Sequence, residues 1–251
     1  MGLLRTVWPD VRNGPRRSAI KIGVTFSGSG ACAAAAHQFA ALLQKRSIEI
    51  TMLSATSLAA VPSLLWSRGV PLEEIDKQMH LFCSVSPQTG LRQLEKAGLL
   101  DRPAVCDFAV NCVDVSTGVT VIYSDSLHSN AWNLKVLPLV GNERAALLAA
   151  LCPWGDAEPV ALEGMRLCDF SACYGSPLFP LKMAGMERLM AVSFPGGGTP
   201  AQTAANSLVC LTGKNADFYC EVRPESNRPL SETVCAAAVQ SAAEFGEKLR
   251  P

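Results

Sequence analysis

The chain has 251 residues, 49% of them hydrophobic, with 22 basic and 22 acidic side chains and a formal net charge of zero. That length can bury a substantial core as one α/β unit. No stripe of Lys and Arg could neutralise a phosphate backbone, so nucleic acid is not an expected partner. Pro or polar residues interrupt every apolar run before it reaches the length of a membrane span.

Residues 1–18 carry four Arg, Trp8 and Pro9 but no apolar h-region, so no secretory signal is expected. Gly2 with Thr6 matches the minimal myristoylation pattern, which is short enough to arise by chance. The ten Cys are spread along the chain, and pairs such as Cys106/Cys112 and Cys168/Cys173 lack the two-residue spacing of a zinc or redox motif. They are expected to be reduced thiols packed as small hydrophobes in a cytoplasmic protein, with no metal and no cofactor.

Residues 20–26 are a β-branched apolar run ending in Ser27-Gly28-Ser29-Gly30, the pattern of a buried strand entering a tight turn. Residues 31–46 show helical spacing at Ala36, Phe39 and Leu43; 47–53 return to strand character; 57–68 are a second helix stopped by Gly69. That alternation implies parallel strands with right-handed crossovers. Further along, 71–100 are expected to be helical, and 107–115 and 119–123 to form a hairpin around Ser116-Thr117-Gly118. A short helix over 143–151 stops at Pro153. Strands are expected at 165–168, 189–194 and 217–222, and a closing helix at 232–248. The fold class expected is α/β, a three-layer α/β/α sandwich around a central, mainly parallel sheet.

Two turns could carry chemistry. In Ser27-Gly28-Ser29-Gly30, small residues let backbone N–H groups approach a ligand, and a following helix N-terminus would favour an anion. The loop also fits G-x-G-x-x-A through Gly28, Gly30 and Ala33. However, Glu49, the candidate ribose acid, precedes the second strand instead of closing it, which speaks against a nucleotide or flavin. Taken alone, the loop is equally a turn chosen for tight packing. The second turn is Ala55-Thr56-Ser57-Leu58-Ala59, a Ser between strand and helix with small residues two places either side, as in a nucleophile elbow. Taken alone, Ser57 is more simply a helix cap. None of His37, His80 and His128 sits in a triad context.

In chain order, these segments resemble the patatin-like acyl hydrolases. Residues 26–33, Phe26-Ser27-Gly28-Ser29-Gly30-Ala31-Cys32-Ala33, match that family's glycine-rich loop, and Ala55-Thr56-Ser57-Leu58-Ala59 matches its G-T-S-A-G elbow. Val113-Asp114-Val115-Ser116-Thr117-Gly118 and Ala149-Ala150-Leu151-Cys152-Pro153 match later segments. Asp169-Phe170-Ser171-Ala172-Cys173-Tyr174-Gly175-Ser176-Pro177 falls where the family carries D-G-G and N-x-P, with the spacing from Asp to Pro kept. Ala55 and Ala59 replace elbow glycines, Cys32 replaces a basic residue, Phe170 and Ser171 replace two glycines, and Gly175 replaces Asn.

The resemblance implies a patatin-like domain over residues 19–251, preceded by an extension over 1–18. It implies a Ser-Asp dyad of Ser57 as nucleophile and Asp169 as base, with Gly28, Ser29 and Gly30 as the oxyanion hole and no metal. The substrate would be a lipid or other carboxylic ester, reached by transient contact with a membrane surface. The alternative is a catalytically impaired patatin-like scaffold that binds or regulates. Oligomeric state is not readable from these residues.

Overall fold

In the computed structural model of the protein, residues 20–129 and 131–248 are described; the expected extension over 1–18, with Gly2 and Thr6, lies outside them. Strand β1 (Ile22–Ser27) leads through a short 3-10 turn (Ala31–Ala35) into α1 (Ala36–Lys45). Strand β2 (Ile50–Ala55) is followed by α2 (Ala60–Ser67), α3 (Leu72–Phe82) and α4 (Pro87–Lys96). The single helical stretch expected over 71–100 is thus two helices. Pro87 cannot donate within a helix but suits its first turn, and Ser86 caps the new start by accepting from Thr89 N–H.

Strands β3 (Asp107–Asp114) and β4 (Val119–Tyr123) form the expected hairpin, and β5 (Leu134–Leu137) pairs with β4. Helix α5 (Glu143–Ala150) precedes a second hairpin, β6 (Val160–Leu162) and β7 (Met165–Asp169). Its turn holds Glu163 and Gly164 at φ 49° and 79°, the left-handed pair a tight hairpin requires. The chain continues through α6 (Ser171–Tyr174), α7 (Phe179–Met183), β8 (Arg188–Ser193), α8 (Pro200–Gly213), β9 (Phe218–Glu221) and α9 (Leu230–Lys248).

Among the described residues, nine strands form one mixed sheet with the main order β5-β4-β3-β2-β1-β8-β9. Its central strands β3, β2, β1, β8 and β9 are parallel, as the fold class requires. Both faces are covered, so the inner strands are apolar on alternate sides. Leu53, Met190 and Val192 point into the larger core with α1, α2, α5 and α9, while Met52, Leu189 and Ala191 point into a smaller one with Leu181 of α7. All ten cysteines are free thiols. No helix of the described residues is long and apolar enough to cross a membrane.

Candidate active site

Strand β3 changes partner halfway along, and that change builds the site. Its first half pairs in parallel with β2 as far as Val110 opposite Ala55; its second half pairs antiparallel with β7, beginning with Cys112 opposite Asp169. The ends of β2 and β7 therefore meet head-on beside β3. The buried Asn111 lies between those two pairings, and its amide donates to Ser54 Oγ at 2.9 Å and Ala55 O at 3.0 Å, pinning the end of β2. The chain leaving β2 turns at Ser57, and the carboxylate closing β7 faces it.

Ser57 has φ 57°, a left-handed conformation that a non-glycine residue adopts only where its surroundings impose it. In this conformation the hydroxyl leaves the strand end and reaches Asp169 Oδ2 at 2.5 Å. The two alanines that replace elbow glycines cost nothing here. Ala59 lies at φ −59°, ψ −21°, Ala55 is absent from the positive-φ residues, and both are fully buried. The elbow needs small side chains at these positions, and positive φ only at the serine.

Asp169 is 8% exposed and Ser57 3%. Around the carboxylate, Oδ2 accepts from Ser57 Oγ and, at 2.7 Å, from Ser171 Oγ. Oδ1 accepts from Ser171 N–H at 3.1 Å and from the hydroxyl of Thr56, which also lies 3.1 Å from Asn111 O. Four donors thus match the four acceptor positions of an ionised carboxylate. Among the described residues, no Lys, Arg or His forms an ion pair with it. Burial pushes the Asp169 carboxyl above the ordinary carboxylate value, and the hydrogen bonds from Ser57, Thr56 and Ser171 pull it back down. Ser171 Oγ also lies 3.3 Å from Ser57 Oγ.

Phe170, the bulky residue after the acid, fits without distorting the chain. It adopts φ −61°, ψ −36°, ordinary helical values that need no glycine, and its ring packs on Tyr174 with centroids 5.2 Å apart. Gly175 at φ 75° is required, since a Cβ there would lie 2.2 Å from Thr212 Oγ1.

The loop Gly28-Ser29-Gly30 divides. Gly28 and Ser29 line a cavity of about 400 Å³ with Ser57, Asp169 and Ser171. Their N–H groups have no acceptor among the described residues. Gly28 sits at φ 119°, where a Cβ would meet Phe194 O at 2.2 Å, and its carbonyl accepts from Ala59 N–H at 3.2 Å, tying loop to elbow. Gly30 departs from the expectation: its N–H donates to Phe194 O at 3.0 Å, and it does not line the cavity. The expected helix N-terminus is here a five-residue 3-10 turn, in which Cys32 is buried. Phe82, Val85, Leu151, Val209 and the half-exposed Trp154 make much of the remaining wall apolar.

Sequence reasoning missed three contributors: Thr56, Asn111 and the helix α8, whose Ala205 and Val209 line the cavity. The helix had a signal in Thr199-Pro200, a capping hydroxyl followed by proline at the first position. His37 is buried against Asp76 at 3.0 Å, and His80 and His128 are exposed; none meets Ser57. Glu49 lies just before β2, away from the strand end that Gly28 follows, so the glycine loop lacks its ribose acid.

Fold and site together define an α/β scaffold with a mainly parallel sheet, in which an elbow serine faces a buried aspartate. Among solved structures, VipD from Legionella pneumophila superposes with a TM-score of 0.56 at 9% identity, covering 92% of this chain and 67% of that one. A chain of the heterodimeric ExoU–SpcU complex from the type III secretion system of Pseudomonas aeruginosa covers 92% of this chain and 52% of its own, at 10% identity. Its TM-score of 0.44 is too low to carry weight. No family model and no curated protein matches the sequence. The likeness to VipD shows the fold alone.

Proposed function

We propose that this protein is a serine acyl hydrolase that cleaves lipid carboxylic esters through an acyl-Ser57 intermediate. The observation that carries the proposal is the 2.5 Å contact between Ser57 Oγ, at a left-handed elbow, and Asp169 Oδ2 on the floor of a largely apolar cavity. A serine hydroxyl needs a neighbouring base, and Asp169 is the only ionisable side chain hydrogen-bonded to it among the described residues.

In the proposed cycle, Ser57 Oγ attacks the ester carbonyl carbon as its proton passes to Asp169 Oδ2. The N–H groups of Gly28 and Ser29 receive the developing oxyanion, while Gly30 holds the loop to Phe194. Collapse of the tetrahedral species breaks the ester C–O bond, and the leaving alcohol takes the proton from Asp169. A water then gives its proton to Asp169 and attacks the acyl carbon; the acyl–Oγ bond breaks as Asp169 returns that proton to Ser57 Oγ, releasing the acid. The apolar walls suit an acyl chain, and a lipid substrate implies transient contact with a membrane surface. On the cysteine usage, we place the enzyme in the cytoplasm.

Labelling with a fluorescent fluorophosphonate tests this directly. Wild type should label at neutral to alkaline pH, Ser57→Ala should not, and Asp169→Asn should label far more slowly. Folded wild type that stays unlabelled throughout that range leaves the impaired, ligand-binding scaffold as the better account.

A further inference from the structure

The loop Gly28-Ser29-Gly30 rests on a second glycine run, just past the end of β8. Phe194 is tied to the loop segment on both sides: its N–H donates to Ser27 O at 2.8 Å, and its carbonyl accepts from Gly30 N–H at 3.0 Å. Pro195 and Gly196-Gly197-Gly198 follow before α8. The two runs touch backbone to backbone. A Cβ at Gly30 would lie 2.2 Å from Pro195 O, and one at Gly196 would lie 2.6 Å from Gly30 N and 2.9 Å from Ser29 C. Gly196 is not among the positive-φ glycines, so this close approach is what requires it.

Three successive glycines give a run little stiffness of its own. Asn206, two turns into α8, supplies a fixed point: its Nδ2 donates to Gly196 O, and the residue lines the active-site cavity. The helix that carries it is anchored near both ends. Thr199 Oγ1 donates to Asp156 Oδ2 at 2.7 Å, and Thr212 Oγ1 accepts from Ser176 N–H at 2.7 Å. Oxyanion donors act only when held in place beforehand, and a misplacement of about 1 Å can cost on the order of 100-fold in rate.

We infer that Asn206 is a positioning residue: by holding Gly196 against Ser29 and Gly30, it keeps the Gly28 and Ser29 N–H groups aimed at the oxyanion. That purpose rests on the hydrolase reading; the holding of the loop does not.

The test compares the full chain as wild type, Asn206→Ala and Asn206→Leu, the last keeping the bulk of the side chain without its donor. Exchange of the Gly30 amide hydrogen, followed by NMR, should quicken about tenfold in both variants, the scale of one lost hydrogen bond. Initial release of p-nitrophenol from p-nitrophenyl butyrate should fall about tenfold. Release from the thiono analogue should fall much less, because its sulfur is a weak acceptor that gains little from the oxyanion donors. Gly30 exchange unchanged in both variants overturns the inference, whether or not the protein cleaves esters. An equal loss on the two esters also overturns it, since a side chain that only supports the fold would slow both alike. Quickened exchange in a protein that cleaves neither ester supports the holding of the loop and sinks the hydrolase reading, so the two failures are distinct.

Discussion

Hydroxyls and thiols both lie near Asp169 in the chain's packing, and they meet it differently. Thr56, Ser57 and Ser171 meet the carboxylate within hydrogen-bonding reach. Cys112, Cys152 and Cys168, close by on β3, just past α5 and on β7, make no bond to it. Burial pushes the Cys168 thiol up to about 12 and raises Cys112 and Cys152 as well, so all three stay protonated near neutral pH. The hydroxyls hold the charge in place. The thiols of Cys152 and Cys168 lie 3.9 Å apart in a separate apolar cluster with Val113, where they fill space. On the carboxyl itself, burial and the hydroxyl donors act in opposite directions.

The sharpest way to break this comparison is Asp169→Asn. It should cut fluorophosphonate labelling by about 1000-fold, within the range for loss of a general base, yet leave the Tm at pH 7 unchanged or higher. The reason lies in the sign of the shift. A carboxyl raised in the folded state contributes stability that is fully present below its ordinary value of 3.8 and is lost as pH rises through the folded value. At pH 7 the ionised group is therefore a burden that Asn removes. A large fall in Tm would show that the hydroxyl shell compensates the charge more fully than burial opposes it.

Thr56→Val should come next. It deletes a donor to Oδ1, so labelling at neutral pH should fall by about tenfold or more, and the acid limb of the pH profile should move to higher pH. Ser171→Ala should move the limb in the same direction but less far, because its N–H still serves Oδ1. The smallest effect on chemistry is expected for Cys168→Ala. Thermal unfolding should register a loss of about 1–2 kcal/mol from the vacated space, with the acid limb unmoved. A shift as large as that of Thr56→Val would mean that the thiols act on the carboxylate electrostatically.

Much of this candidate site was legible in the sequence, because the glycine loop, the elbow serine and the aspartate occur in an order and spacing that resemble the patatin-like proteins. The substituted glycines looked like damage only while their φ values were unknown. Ala59 sits in ordinary helical space and Phe170 turns its ring toward Tyr174, so neither burdens the site. Thr56 and Asn111 were not legible, since their roles depend on which strand ends meet beside β3. Helix α8 was hidden by a run of Ala, Asn, Ser and Thr without a strong apolar stripe, and the three-residue strand β6 was too short to show alternation.

The partner change along β3 also sets how this protein can vary. Asp169 owes its direction to a strand ladder, and side chains on a strand face alternate sides. Adding or removing a single residue between Met165 and Asp169, with the β3 pairing kept, would turn the carboxylate to the opposite face of the sheet, away from Ser57. The loop from Asp156 to Pro159 before the hairpin lies outside that ladder and can change length without rotating the acid. Lineages of this fold should therefore tolerate insertions before β6 and almost none within β7, a parity rule for where new sequence can enter.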